Sequence, residues 1–407
     1  MVRPLPLPPV RGGVLLGLFV GLVACGRVSL GSLEGSDDSR AGAGGDGASG
    51  QSSLGGSAGG DGSNSRSGNG GDAPGGSTSG LGAATGIGGG GTGAAAGSNG
   101  LSDAGTDSGS SGPLPPSCVA LEPQCGDAAN RASCCESLPV LGGSFDMLVQ
   151  TEGVGVPVTV SSFHLDRFEV TVGRMREFIA HYDEWRAQGQ PQQGLGEHPL
   201  IPGSGWQVDR FSPFLPESAA DFETRLRDCG PTPFSTYAEG LSDEVPLNCA
   251  SWFEAAAFCA WDGGRLPTMR ELAYAGYGGA QQRVYPWGDE PVPRRELALF
   301  GCIIDTDAPV CTIADVTPVG VRPLGAGLFG QDDLAGSMSE WVLDANAAPD
   351  SGCTDCADLA PVGDESLRRW RPGDWLTRAD LLRNGIFLAL PPDIRNYFLG
   401  LRCARDE

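Results

Sequence analysis

Apolar positions along the chain fall into two regimes. From Gly31 to about Pro113 they follow no period: the stretch is Gly, Ser, Ala, Asp and Thr, and it cannot bury enough apolar surface to offset the entropy of ordering. Periodic segments begin beyond it. Val154 to Val160 and Phe163 to Thr171 alternate as strands do, and Met175, Phe178, Ile179 and Tyr182 then recur at helical steps, which predicts a helix. Trp252, Ala255, Ala256, Cys259 and Ala260 mark one apolar face of a second helix. Ser251 and Glu254 form a capping box at its start, each side chain accepting from an N–H that the helix leaves open, and Gly263-Gly264 supplies the stop. Thr268 and Glu271 repeat the box for a short third helix carrying Leu272 and Ala275. Between Asp183 and Asp243 the pattern is poor, Pro- and Gln-rich with scattered aromatics at Trp206, Phe211, Phe214, Phe222 and Phe234. Such a stretch inside a domain is either a recognition segment or a surface insertion stapled by Cys229.

Composition narrows the function classes. The 65 glycines in 407 residues are concentrated in the aperiodic segment, where no Gly-Lys-Ser/Thr closes a phosphate loop. A formal charge of −23 excludes nucleic-acid or anionic-membrane binding through a basic patch. Only three histidines occur, His164, His181 and His198, and the first two read as polar residues of a strand and a helix end. At the start of the chain Arg3 and Arg11 flank or precede an apolar run, Gly12 to Ala24, too short to span a bilayer, so residues 1–24 read as an export signal. Leu22-Val23-Ala24-Cys25 resembles the lipobox of bacterial lipoproteins, in which the cysteine is diacylated. The alternative is an ordinary cleaved signal followed by an unmodified cysteine. With acyl chains contributing ~0.8 kcal/mol per buried methylene, Cys25 would hold the protein at a membrane of the cell envelope, the outer membrane or cell surface being favoured. Residues 25–113 then form a tether with a root-mean-square reach of roughly 50 Å.

Setting Cys25 aside leaves twelve cysteines: Cys118, Cys125, Cys134, Cys135, Cys229, Cys249, Cys259, Cys302, Cys311, Cys353, Cys356 and Cys403. An even number fits six disulfides in an oxidising compartment, although the pairing is not legible. Four of them crowd a lead-in over 114–140. Zinc is disfavoured there because Cys134 and Cys135 are adjacent and no histidine is near. Cys353-Thr354-Asp355-Cys356 lies in a Pro/Asp/Gly-rich loop, which suits a small structural disulfide better than a redox pair opening a helix.

Several ordered segments of the remaining domain, 141–407, carry a resemblance. Ser251-Trp252, Phe258-Cys259-Ala260-Trp261, Arg265-Leu266-Pro267-Thr268, Tyr274-Ala275 and Tyr285-Pro286-Trp287-Gly288 follow the order of V-S-W-x-x-A-x-x-Y-C-x-W-x-G-x-R-L-P-T-E-x-E-W-E-Y-A and Y-P-W-G in the formylglycine-generating enzyme family, also called sulfatase-modifying factors. Gly143 to Met147 resembles its opening strand, Glu169-Val170-Thr171 its E-V-T, and Leu399 to Ala404 its terminal G-F-R-C-A. Met269 and Leu272 depart from the usual Glu and Trp. The resemblance implies an irregular α+β domain related to C-type lectins and crosslinked by disulfides.

It also implies chemistry. Gly336-Ser337-Met338-Ser339-Glu340-Trp341 is similar to the family's G-N-V-W-E-W, where the Asn, backbone carbonyls and the Glu ligate a structural calcium; Ser337 and Glu340 are the corresponding candidates here, and calcium is the candidate cofactor. In active members an R-G-G-S-W segment, roughly two dozen residues before the terminal motif, is followed by two cysteines that bind Cu(I), a soft ion suited to thiolates. The run assigned to it, Leu382 to Arg395 with Arg383-Asn384-Gly385, contains no cysteine, so copper is not expected and no catalytic residue is named. The resulting expectation is an exported, lipid-anchored family member acting as a binding or structural module for a protein, peptide or carbohydrate. The alternative is a formylglycine-generating-type oxidase of a substrate cysteine working through an altered site.

Overall fold

A computed structural model describes residues 114–120, 124–148, 155–230, 234–238, 240–290, 293–302, 311–346, 352–359 and 366–406. The export signal, Cys25 and the tether lie outside them. The first half of the domain contains strands β1 (Gln124–Cys125), β2 (Ala132–Ser133), β3 (Ser137–Val140), β4 (Gly143–Leu148), β5 (Gly155–Val160) and β6 (Phe163–Asp166). Helices α1 (Val172–Ala187), α2 (Val208–Phe211), α3 (Ala219–Arg227), α4 (Trp252–Trp261) and α5 (Met269–Tyr277) follow. Strands β7 (Ser339–Ala345), β8 (Cys353–Thr354), β9 (Arg368–Arg371), β10 (Leu388–Leu390), β11 (Leu399–Gly400) and β12 (Ala404–Arg405) complete it.

Short sheets joined by long irregular connections make this an irregular α+β domain. The largest orders its strands β10-β9-β7-β11, while β12-β6-β3 and β4-β5-β8 are three-stranded. Because β12 pairs with β6, placing Ala404 opposite Leu165, the last strand of the domain closes against one of its early strands. The lead-in is part of the same body: β3 pairs antiparallel with β6, and the buried Arg174 on α1 donates to Ser117 Oγ (3.0 Å), Asp166 Oδ2 (2.9 Å) and Asp262 Oδ2 (2.5 Å). Arg405 reaches the same two carboxylates. Two guanidiniums against two carboxylates leave this interior cluster neutral, the condition under which charges are retained in a core.

Local sequence accounts for most elements. In β4, Phe145 and Met147 point inward while Ser144, Asp146 and Leu148 point out. Thr171 caps α1 by accepting from the Arg174 N–H, and the capping boxes of Ser251 with Glu254 and Thr268 with Glu271 are both formed. The single apolar face expected of α4 is an underestimate: Phe253, Glu254, Ala257 and Phe258 are buried as well, so this helix runs through the core. The strand expected up to Thr171 stops at Asp166.

The poorly patterned segment after Asp183 is not a surface lobe. Its first residues continue α1, and Phe222 and Phe211 enter the main core, edge-on to Tyr182 (5.2 Å between centroids) and Trp252 (5.3 Å), while the exposed Phe214 stacks on Phe253 (4.3 Å) from outside. Cys229 is bonded to Cys249, just ahead of α4. The other disulfides are Cys118–Cys135, Cys125–Cys134, Cys259–Cys403, Cys302–Cys311 and Cys353–Cys356. All twelve candidates are thus paired.

Candidate functional site

The turn that leads into β7 gathers the residues that the sequence marked for a metal. Gly336 and Ser337 both have left-handed backbone, with φ of 92° and 64°. At Gly336 a Cβ would lie 2.6 Å from the Leu299 carbonyl oxygen, so glycine is required there. The Ser337 N–H donates to Leu299 O (2.9 Å), the Gly336 N–H to Gly373 O (2.7 Å) and the Trp375 N–H to Ser337 O (2.8 Å). Within this frame the Ser337 hydroxyl donates to Glu169 Oε2 (2.6 Å) and the Met338 N–H to Glu169 Oε1 (2.8 Å). Glu340 Oε1 accepts from Arg402 Nε (2.8 Å) and Nη2 (2.7 Å). Arg402, fully buried, spends its other N–H groups on the carbonyls of Asp166, Arg167 and Asp332 (3.2, 3.1 and 3.0 Å).

Electrostatics in this turn disfavour further negative charge. Burial, with Asp333 and Glu340 nearby, pushes the Glu169 carboxyl well above its ordinary range despite Arg402 and Ser337. Burial also raises Asp333, against the Gly320 N–H, and burial plus Asp333 raises Asp332 to about 6, against its ion pair with Arg167 (2.8 Å). Calcium needs six to eight oxygen ligands carrying net negative charge. Ser337 and Glu340 do share one buried turn; the hydroxyl is committed to Glu169 and Glu340 Oε1 is paired with a guanidinium, while Glu340 Oε2 is buried without a hydrogen-bond partner. Of the two candidate side chains only that one oxygen is left open, short of the six to eight that calcium takes. Among the described residues no group of three His, Cys, Asp or Glu side chains is disposed to hold a metal ion.

A second run of the chain also follows the R-G-G-S-W pattern and lies beside β7. Arg371-Pro372-Gly373-Asp374-Trp375 supplies Arg, Gly and Trp at its first, third and fifth positions, about two dozen residues before Gly400. Arg371 lies opposite Glu340 on β7, Asp374 Oδ2 accepts from the Ser339 hydroxyl (2.8 Å), and Trp375 is fully buried. Arg383-Asn384-Gly385, given this position from sequence, instead braces a loop: Asn384 Nδ2 donates to Gly276 O (2.7 Å) and Arg283 O (3.0 Å), and its Oδ1 accepts from Arg371 Nη2 (3.1 Å). The Trp at the fifth position and the spacing to Gly400 are sequence signals that favour Arg371 to Trp375 over Arg383-Asn384-Gly385.

Either placement is followed by a run without cysteine, up to Arg395. Leu382 in that run is fully buried with Tyr285, Ala298 and Ala335. Cys353 and Cys356 are bonded to each other on the β4-β5-β8 sheet, a different sheet from that of β9. Among the described residues, therefore, no thiolate pair stands ready for Cu(I).

The histidines are dispersed. His164 lies on β6 and His181 on α1, where its Nδ1 is 2.9 Å from the Glu177 carbonyl. His198, from the segment after α1, is buried; the Leu200 N–H donates to its Nδ1 (3.1 Å), which leaves the proton on Nε2, 3.4 Å from Glu271 Oε1. Glu271 is thereby shared between a helix cap, Arg265 and the docked segment.

Comparison with known proteins follows this geometry. The sulfatase-modifying factor enzyme 1-like domain profile matches residues 124–407. The chain is 29% identical over 280 residues to inactive C-alpha-formylglycine-generating enzyme 2 of Bos taurus, covering 65% of this chain and 85% of that protein. It is 30% identical over 267 residues to hercynine oxygenase of Mycolicibacterium smegmatis, covering 61% of this chain and about half, 54%, of the relative. Among solved structures, PvdO from Pseudomonas aeruginosa aligns with 19% identity and a TM-score of 0.44, over 67% of this chain and 95% of that one. With the profile spanning well over half of its length, the chain belongs to the sulfatase-modifying factor enzyme 1-like domain family.

Proposed function

We propose that this protein is an exported, lipid-anchored binding module that uses the sulfatase-modifying factor fold without copper–thiolate oxidation. The observation that carries the reading is the state of the cysteines: all twelve from Cys118 onward are in disulfides, and the segment after Trp375 contributes none. Oxidation of a substrate thiol on Cu(I) needs free thiolates to hold the ion. Likeness to a relative named as an inactive formylglycine-generating enzyme points the same way. The ligand would be a protein, peptide or carbohydrate outside the cell.

The test combines metal and substrate. Protein from Pro113 onward is titrated with Cu(I) and incubated with a peptide carrying C-x-P-x-R. No stoichiometric copper and an unchanged peptide thiol are expected; tight copper with aldehyde formation would replace this reading by the oxidase alternative. Anchoring is checked separately with radiolabelled palmitate, which should enter the full chain and be lost in Cys25→Ser. Label retained in that variant would remove the anchor from the proposal.

A further inference from the structure

The Cys353–Cys356 disulfide differs from the others in what it holds together. Its cysteines are three residues apart, whereas Cys259–Cys403 spans 144, so closing it removes the least freedom from the unfolded chain. Both of its cysteines are partly exposed, as are those of Cys302–Cys311, which closes a longer loop, while those of Cys118–Cys135, Cys125–Cys134, Cys229–Cys249 and Cys259–Cys403 are buried. The backbone around it is held without it. Cys353 and Thr354 pair in parallel with Val158 and Thr159, the Asp355 N–H donates to Thr159 O (3.0 Å), and the Asp355 carboxylate accepts from the Ser161 N–H (2.6 Å) and hydroxyl (2.7 Å). A cation adjoins it: buried Arg270 donates to the Cys356 carbonyl (3.1 Å) while paired with Asp344 (2.9 Å), and its Nε has no partner among the described residues. An accessible bond of small structural worth, in backbone held without it, has the features of an exchangeable disulfide.

The geometry points to Cys353–Cys356 as a thiol–disulfide exchange site that accepts two electrons from a protein or peptide carrying two thiols. One substrate thiolate attacks a sulfur of the pair, the Cys353–Cys356 bond breaks, and the freed cysteine leaves as a thiolate. The second substrate thiolate then attacks the mixed disulfide. The substrate departs as a disulfide and both cysteines of the chain remain reduced, so one dithiol is oxidised for each disulfide reduced.

The experiment uses the full chain, a limiting amount of a reduced peptide containing two cysteines, acid quenching, and alkylation mapped by mass spectrometry. Cys353 and Cys356 should be alkylated at least tenfold faster than any other pair, with one peptide disulfide formed per pair opened. In Cys356→Ser, given a disulfide that links two one-cysteine peptides, the Cys353 thiolate should attack it and hold one peptide as a mixed disulfide while the other leaves as a thiol. The double variant Cys353→Ser/Cys356→Ser should keep the native near-ultraviolet circular dichroism and lose exchange. Opening of Cys302–Cys311 first, failure of any pair to open, or unfolding of the double variant would each overturn the proposal.

Discussion

At the scale of single residues, arginine carries the interior polar architecture. All 27 basic residues are arginine, and the chain contains no lysine. Arg402 shows why the distinction matters: one planar guanidinium serves a carboxylate and three carbonyls in different directions, which a single ammonium cannot do. Arg402→Lys should therefore cost about 3–5 kcal/mol in urea denaturation, the range for breaking a buried pair; a loss below about 1 kcal/mol would contradict that role. Carboxyls near it set a pH dependence. Asp332 is raised to about 6 when folded, mainly by burial, so the folded state holds its proton more tightly than the unfolded one. Its contribution is fully present below pH about 4, the ordinary aspartate range, and is lost as pH rises through about 6. Glu169 acts in the same direction. Glu271 has the opposite sign: burial raises it, but Arg265, His198 and the Thr268 N–H hold it at about 2, so its contribution is present above the ordinary glutamate range and lost as pH falls toward 2. Asp332→Asn should flatten the decline in unfolding free energy between about pH 4 and 7, and Glu271→Gln the decline on the acid side.

At the scale of elements, the segments with local signals were legible and those defined by partners were not. The starts of α1, α4 and α5 are written in Thr171, Ser251 with Glu254, and Thr268 with Glu271, because a cap satisfies N–H groups within one turn of itself. Ser251→Ala should lower stability by about 1 kcal/mol. Calorimetry checks this, and an unchanged melting temperature would show the cap to be redundant. The turn into β7 is a tertiary device: Gly336→Ala would set a Cβ 2.6 Å from Leu299 O in left-handed backbone and should destabilise by roughly 2 kcal/mol or more. The segment after Asp183 was unreadable for a related reason. Its aromatics pack singly against α1 and α4, so Phe222 and Phe211 follow no period of their own element.

At the scale of the whole molecule, closure comes from joining distant parts of the chain. β12 against β6, Arg405 against Asp166 and Asp262, and Cys259–Cys403 all bind the C-terminal strand to elements far earlier in sequence. Replacing Cys259 and Cys403 by serine should cost about 3–5 kcal/mol, because a crosslink over 144 residues restricts the unfolded chain strongly. The paired loss of melting temperature and of protease resistance at the C-terminus would register it. Loss comparable to that of the Cys353→Ser/Cys356→Ser variant would contradict the ranking by span.

The sequence by itself determined the family, the helix starts, the even set of twelve cysteines and the lack of a cysteine after the catalytic motif, since each depends on residue identity in order. Tertiary structure alone decided the disulfide pairing and the burial of the segment after Asp183. It also set Arg371 opposite Glu340, through the register of β9 with β7. Most of all it decided the fate of Ser337 and Glu340. The resemblance places them in a metal-binding frame, but Glu169 takes the Ser337 hydroxyl and Arg402 takes Glu340 Oε1 once the chain folds, partners that lie far away along the chain.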